Sequence, residues 1–154
     1  MKILIIVKSK HNENTLKIAE AMSEVAPVTV TELENANNYK LSEYDIVGFG
    51  SGIYFGKHDK ELLKFVKNVC DKKAYSFVFS TSGSKNFEKN NRTLVKILES
   101  KNKVVLGSFG CTGLDKFFIF ALGGGINKGH PDMDDFDAAQ SFILEVIDKY
   151  NKLN

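Results

Sequence analysis

Short polar side chains follow directly on the first apolar run of the chain, ILIIV. Ser9 comes two residues after that run, and Asn14 and Thr15 stand where a helical pattern begins. The N-terminus of a helix presents unpaired backbone N–H groups and a partial positive charge, so it attracts anions. Hydroxyl and amide side chains there add further donors. The loop therefore suits a phosphate, with ordinary helix capping by the same residue types as the alternative.

A second group of candidate ligand-binding residues lies in the glycine-rich segment 50–59, GSGIYFGKHD. Its glycines let the backbone turn sharply or approach a ligand closely. Tyr54 and Phe55 stand between them, and aromatic rings suit stacking on a flat heterocycle. Alternatively, these rings and Ile53 cover the core beneath the loop. The segment STSGS, residues 80–84, offers accessible backbone N–H groups, although a plain turn has the same composition.

Missing residues exclude several other kinds of site. Neither GxGxxG nor GxxxxGK[ST] follows the first apolar run, which excludes a dinucleotide fingerprint and a P-loop. The paired carboxylates of a receiver domain are absent from that position. Arg92 is the sole arginine, so neither Cys70 nor Cys111 starts the Cys-x5-Arg loop of a phosphatase. The two cysteines are far apart and have no CxxC partner, so we predict neither a zinc site nor a disulfide framework.

Strand and helix patterns alternate along the whole chain. Strands are predicted at residues 2–7, 27–31, 44–50, 74–80 and 103–110, helices at 14–25, 57–69, 88–100 and 132–151, and a loop at 32–43. This alternation has no linker and predicts a single domain over residues 1–154. We predict an α/β fold of three layers, with a doubly wound parallel sheet of five strands in the order 2-1-3-4-5. Ligands bind at the carboxyl ends of such strands, which places the candidate loops at one edge.

The segment 111–131, after the fifth strand, is long for a compact domain. Its FFIF run, residues 117–120, is expected to pack on the core as a short helix, or to form a wall beside the ligand or a partner patch. We expect Cys111 to be a buried structural thiol, because no base is identifiable beside it. Asp115 and His130 are possible acid–base residues, but no side chain stands out in a catalytic role.

Composition and charge limit the setting. The chain has a formal net charge of +2 with scattered lysines, so no basic stripe indicates nucleic-acid binding. No apolar run approaches the roughly 18 residues that span a bilayer. The first apolar run is too short for a signal peptide, so we expect a cytoplasmic protein with reduced cysteines.

Four segments together resemble a branch of the flavodoxin family that is common in anaerobic bacteria and archaea. The first loop is similar to its Ser-x-x-x-x-Asn-Thr phosphate loop. YDIVGFGSGIYFGKHDKELLKFV, FSTSGS and GGGINKGHPDMDDFDAAQSFI are similar to later segments of that branch. The resemblance covers nearly the whole chain, and it implies a flavodoxin-like fold, bound FMN and a redox role.

The resemblance also implies three groups of FMN-binding residues. Those around the phosphate would be Ser9, Lys10, His11, Asn12, Asn14 and Thr15. Those along the isoalloxazine ring would be Ser51, Gly52, Ile53, Tyr54, Phe55 and Gly56. Those at the pyrimidine edge would be Thr81, Ser82, Gly83 and Ser84. In flavodoxins a peptide of the second loop turns over on reduction, and Gly56, with Gly52 second, is the candidate because glycine accepts positive φ.

As implied by the resemblance, the protein carries electrons between redox partners through one- and two-electron states of FMN. The alternative is an FMN-dependent NAD(P)H or quinone oxidoreductase, which the long last loop and the lack of an acidic surface favour. Its partners would be redox proteins or a small electron acceptor, and it would be a monomer or homodimer. The chain departs from the family in its bulky HNENT turn and in Lys57 and His58 after the ring loop. We expect these two cations to make the second reduction potential less negative.

Overall fold

The computed structural model describes residues 1–10, 13–69, 75–113 and 129–154. Its strands are β1 (Ile3–Lys8), β2 (Val28–Glu32), β3 (Ile46–Tyr54), β4 (Lys57–His58), β5 (Tyr75–Ser82) and β6 (Val104–Thr112). Its helices are α1 (Asn14–Val25), α2 (Lys60–Asn68), α3 (Phe87–Ser100) and α4 (Met133–Leu153). Two short 3-10 helices, Leu33–Asn38 and Leu41–Glu43, occupy most of the segment that was predicted as a loop.

The main sheet is parallel and runs in the order β2-β1-β3-β5-β6. Ile46 of β3 is aligned with Ile3 of β1 on one side and with Tyr75 of β5 on the other. The two-residue β4 lies outside this series and pairs antiparallel with the end of β3. Without β4 the order is 2-1-3-4-5, so the predicted flavodoxin-like topology is confirmed.

Helices cover both faces of the sheet and enclose two separate cores. On the α1–α4 face, Ile18 of α1 and Ile143 of α4 pack with the rings of Phe77 and Phe79 from β5. On the α2–α3 face, the buried residues are mostly aliphatic, including Leu62 of α2, Leu94 and Leu98 of α3, and Leu4 and Val78 of the sheet. The continuous apolar character of β1 follows from this arrangement, because a central parallel strand is buried on both sides.

The start of α2 differs from the sequence prediction. The predicted helix at 57–69 begins at Lys60, because Lys57 and His58 pair with the end of β3 instead. Asp59 caps the helix, with its carboxylate accepting a hydrogen bond from the backbone N of Glu61 at 2.8 Å. Among the described helices, none combines the length and the apolar character that crossing a membrane requires.

Candidate functional site

The loop between β1 and α1 joins a strand to a helix by side-chain hydrogen bonds. Ser9 Oγ accepts a hydrogen bond from the backbone N of Leu16 at 3.3 Å, which reaches across the loop into the first turn of α1. Glu13 occupies the N-cap position in the left-handed region, at φ 55°, and its side chain makes no cap bond. Asn14 and Thr15 open the helix and are buried. Of the residues predicted to surround the phosphate, His11 and Asn12 lie outside the described part of the chain.

Three chain segments meet beside Asn14 and Thr15. Thr15 Oγ1 lies 2.8 Å from Thr81 Oγ1, so the first loop is tied to the end of β5. The end of β6 joins them, because the backbone N of Gly113 donates to the carbonyl of Ser82 at 3.1 Å. A Cβ at Gly113 would stand 2.8 Å from Asn14 Nδ2, closer than carbon and nitrogen can pack. Glycine at this position therefore allows the first loop and the end of β6 to come together.

The segment after β3 forms a tight β-hairpin with an exposed aromatic tip. Tyr54 pairs with Lys57, and the two residues between them, Phe55 and Gly56, have φ of 51° and 75°. Positive φ at both central residues is the type I′ geometry that fits the twist of a two-residue hairpin. Gly56 adopts it freely, whereas a bulky residue there is uncommon. Phe55 is 98% exposed, so the alternative that it covers the core is wrong.

Lys10 lies against this hairpin. Its ammonium is 2.8 Å from the carboxylate of Asp59 and 5.7 Å from the centroid of the Tyr54 ring. The hydrogen bond to Asp59 raises the pKa of Lys10. Burial alone would raise the pKa of Asp59, but bonds from Lys10 and from the backbone of Glu61 hold it below its ordinary value. Lys10 therefore links the first loop to the hairpin, and its charge is balanced by a carboxylate.

Lys8, at the end of β1, is buried and, like the exposed Lys10, is paired with carboxylates. Its ammonium contacts Glu34, and it lies 2.8 Å from Glu61 of α2. Hydrogen bonds to both carboxylates raise its pKa far above the ordinary value, in spite of its burial. The two lysines nearest the first loop are thus both engaged by acidic partners, and a bound anion would compete with those partners for them.

The expected cationic role of His58 is wrong. His58 is 2% exposed, between Ser51 of β3 and Asn91 of α3. Burial lowers the pKa of its imidazole to about 4, against the opposing effects of Asn91 and Asp59. The ring is therefore neutral at neutral pH, and of the expected pair of cations only the exposed Lys57 remains. The reason is the hairpin itself, which turns position 58 towards α3.

The loop after β5 is held by its own side chains. Ser82 Oγ donates to the carbonyl of Ser84 and accepts from Asn90 Nδ2 at 3.3 Å. Thr81 and Ser82 are buried, Gly83 is partly exposed and Ser84 is exposed. This loop starts at the point where Thr81 meets Thr15, so the third predicted group lies at the same edge as the first. The second group lies there too, because Lys10 of the first loop is beside the Tyr54 ring.

The remaining expectations concern the segment after β6. Cys111 is buried, as predicted, and burial raises the pKa of its thiol to about 12. His130 Nδ1 lies 2.6 Å from Oδ2 of Asp135, which caps α4 together with Asp132. That hydrogen bond raises the pKa of His130. Asp115, Cys70 and the FFIF run lie outside the described residues.

Sequence reasoning missed Asn91, whose side chain connects α3 with β6 and with the hairpin. Its Nδ2 donates to Ser108 Oγ at 2.8 Å and to the carbonyl of Phe109 at 2.9 Å. A signal was present, because Asn91 shares a helical face with Leu94 and Leu98, and a polar residue on a core-facing stripe needs buried partners.

Comparisons with known proteins agree with this architecture. The family model described as Flavodoxin domain matches residues 4–148. The uncharacterized protein MJ0298 of Methanocaldococcus jannaschii is 38% identical over 149 residues, which are 96% of this chain and 99% of that protein.

Two solved structures support the fold. The flavodoxin of Streptococcus pneumoniae TIGR4 matches with a TM-score of 0.71 at 15% identity, covering 97% of this chain and 99% of that chain. A flavoprotein of Lactobacillus acidophilus NCFM, in complex with FMN, matches with a TM-score of 0.54 at 19% identity, covering 71% and 92%. With the family match over nearly its whole length, the chain belongs to the flavodoxin domain family.

Proposed function

We propose that the protein binds FMN at the carboxyl edge of its sheet and carries electrons between redox partners. FMN supplies the one- and two-electron chemistry when it is bound, and the protein holds and tunes it. The observation that carries the proposal is the meeting of three loops at this edge. The Thr15–Thr81 contact of 2.8 Å joins two of them, and the Lys10–Asp59 pair joins the hairpin to the first.

The residues at the start of α1 fit a phosphate group. Their donors are the neutral, short side chains of Ser9, Asn14 and Thr15, beside the partial positive charge of a helix N-terminus. Lys8 and Lys10, the lysines beside this loop, are already paired with carboxylates. The phosphate would thus be held mainly by hydrogen bonds and the helix dipole, which are less weakened by salt than exposed charges.

The hairpin fits the flat ring of the cofactor. Phe55 is displayed to solvent on a turn whose backbone is fixed by strand pairing on both sides. A fully exposed phenyl ring in a left-handed backbone conformation costs free energy, and such strain is characteristic of ligand-binding positions. Stacking on a flavin would recover part of that cost. The neighbouring Gly56 supplies a backbone amide in a conformation that only glycine adopts freely.

The described residues favour a carrier over a stand-alone reductase. Of the titratable groups next to the hairpin, His58 is buried and neutral, and Asp59 is bound to Lys10. At neutral pH neither group is available to exchange protons with a substrate. A carrier needs no such group, since the flavin itself accepts and donates the electrons.

Titration of the purified protein with FMN, followed by stepwise reduction monitored by visible absorption spectroscopy, tests the proposal. We expect saturable binding at micromolar FMN and spectral changes in two one-electron steps. Phe55→Ala should weaken FMN binding about tenfold, which corresponds to about 1.4 kcal/mol. Leu144→Ala, another exposed apolar residue but on α4, should leave it unchanged. Colourless protein that ignores added FMN would contradict the proposal.

Steady-state turnover separates the carrier from the alternative. With NADH or NADPH and a quinone, a carrier alone should show almost no turnover, and should gain it when a partner reductase is added. Rapid turnover by the isolated protein would instead identify an FMN-dependent oxidoreductase.

A further inference from the structure

A continuous chain of hydrogen bonds, buried at its hairpin end, connects the hairpin with α3 and β6. Ser51 Oγ lies 2.8 Å from His58 Nδ1, and His58 Nε2 lies 2.9 Å from Asn91 Oδ1. Asn91 Nδ2 then donates to Ser108 Oγ and to the carbonyl of Phe109. Ser51 is 0% exposed and His58 is 2% exposed. Asn91 is also buried, at 1% exposed, so these three side chains depend on their protein partners, whereas Ser108 at the far end is exposed to water.

The carbonyl of Phe109 fixes the direction of this chain. A carbonyl can only accept, so the Asn91 atom facing it is the amide nitrogen, and the amide oxygen faces His58. An amide oxygen also only accepts, so His58 Nε2 must carry a hydrogen. In the neutral ring, Nδ1 is consequently the unprotonated nitrogen and accepts a hydrogen bond from Ser51.

Ser51 has one hydroxyl hydrogen and two acceptors within reach. Besides His58 Nδ1, its Oγ lies 2.7 Å from the carbonyl oxygen of Gly52, the next residue of β3. Its oxygen also accepts from the backbone N of Asp59 at 3.0 Å, so the hydroxyl group is anchored on one side. While His58 is neutral, the hydroxyl group of Ser51 donates its hydrogen bond to the unprotonated Nδ1. If His58 binds a proton from solvent at Nδ1, the new N–H donates to Ser51 Oγ, and the hydroxyl hydrogen rotates to the Gly52 carbonyl.

We propose that Ser51, His58 and Asn91 form a proton-linked hydrogen-bond switch that positions the Gly52 peptide. The inference rests on the proposed function for its purpose, since Gly52 belongs to the loop that would lie along the flavin ring. Ser51 and His58 act as positioning residues, and no covalent bond is formed or broken other than the N–H bond at Nδ1. One proton enters from solvent, and the ring gains one positive charge.

The charged groups around His58 leave its ring neutral and allow it to bind a proton when the nearby charge changes. Asp59 is the charged group that faces His58, and it is balanced by Lys10. From α3 the ring meets the neutral side chain of Asn91, which in turn donates to the neutral hydroxyl of Ser108 on β6. Lys57, the neighbour on β4, is exposed. Negative charge that arrives near the hairpin would favour protonated His58, and by linkage protonated His58 would favour that charge.

Heteronuclear NMR on the full chain without added FMN tests the switch directly. At neutral pH we expect the ring nitrogens of His58 to show a hydrogen on Nε2 and none on Nδ1. On acidification, the carbonyl carbon of Gly52 should shift with the same midpoint as the His58 ring. Ser51→Ala should abolish the Gly52 shift while His58 still titrates. The matched Ser51→Thr variant, which keeps a hydroxyl, should retain it.

Asn91→Asp provides a second measurement that does not require strong acid. A carboxylate facing Nε2–H should raise the pKa of His58 by about 1–3 pH units. At about pH 5 the variant should then show protonated His58, and its Gly52 carbonyl should already stand at the low-pH position of the wild type. Either a hydrogen on Nδ1 of neutral wild-type His58, or a Gly52 carbonyl signal that ignores His58 protonation, overturns the proposal.

The two proposals fail separately. A chain that binds no FMN but shows the coupled titration keeps the switch and loses the proposed function. A chain that binds FMN while the Gly52 signal is independent of His58 keeps the proposed function and loses the switch.

Discussion

The two faces of the sheet differ in the side chains that they bury. On the α1–α4 face, the ring of Phe77 contacts Phe142 edge to face at 5.7 Å, in a core made almost entirely of apolar side chains. On the α2–α3 face, the apolar core ends near the carboxyl edge of the sheet. Beyond it, the buried side chains are polar and form the hydrogen-bonded chain through His58 and Asn91. Apolar packing stabilises without direction, whereas a buried polar chain fixes one geometry at a cost in desolvation. Both faces therefore contribute stability through apolar packing, and the α2–α3 face also fixes the position of the hairpin.

The largest expected effect is on the α1–α4 face. Phe77→Ala should lower the free energy of unfolding by about 3–5 kcal/mol, because it opens a cavity between β5 and α4. Phe55→Ala is the matched control, since the same side chain is removed from a fully exposed site, and its cost should stay within about 0.5 kcal/mol. Denaturant unfolding of both variants provides the measurement. Equal losses in the two variants would show that the aromatic core does not dominate stability.

The next effect concerns pH and the α2–α3 face. The pKa of His58 is about 4 in the folded chain, below the ordinary value of 6.5, so the unfolded chain binds more protons between these values. Stability linked to His58 is therefore complete above pH 6.5 and lost as the pH falls towards 4, by roughly 3 kcal/mol. His58→Gln should remove this dependence, measured as the difference between wild-type and variant unfolding curves across that range.

His130 gives the opposite sign and serves as the control. Its pKa is raised by the hydrogen bond to Asp135, so its contribution is present below the unfolded pKa and lost as the pH rises through the folded one. The wild-type advantage over His130→Gln should therefore grow on acidification. The same trend in both histidine variants would be inconsistent with a buried, neutral His58.

A smaller effect is expected where the polar chain meets α3. Asn91→Ala leaves His58 Nε2–H and the Phe109 carbonyl without their partner, which should cost about 1–3 kcal/mol. Ser108→Ala removes one outer hydrogen bond and should cost about 1 kcal/mol. FMN binding should weaken more in Asn91→Ala than in Ser108→Ala, because only the former releases the hairpin. An unchanged FMN affinity in Asn91→Ala would show that the hydrogen-bonded chain does not influence the FMN site.

The smallest effect is electrostatic. Lys57→Glu should lower the second reduction potential of bound FMN by a few tens of millivolts, because an exposed charge acts through water. Lys67→Glu, the same change in charge at the far end of α2, should shift it less. Spectroelectrochemical titration at low and high salt measures both, and the difference should shrink at high salt. A potential that Lys57→Glu leaves unchanged would show that this lysine is fully screened.

The sequence by itself determined the architecture, because hydrophobic periodicity is a local property. A run such as ILIIV is explained by a strand buried on both faces, and alternation with amphipathic helices leaves few topologies. The carboxyl edge was predicted for the same reason, since parallel strands bring the loops that follow them to one side. The family resemblance, carried by four ordered motifs, is confirmed by the match over residues 4–148.

The tertiary structure alone decided how charges and polar groups are paired. His58 reads as an exposed cation beside Lys57 in the sequence, but a two-residue hairpin turns it into a buried, neutral ring. Lys10 reads as a phosphate ligand, but its nearest anion is Asp59, which lies 49 positions along the chain. Such pairings depend on segments that are distant in sequence, and the state of a titratable group depends on its burial. Local residue types carry neither piece of information, so they emerge only when the chain is folded.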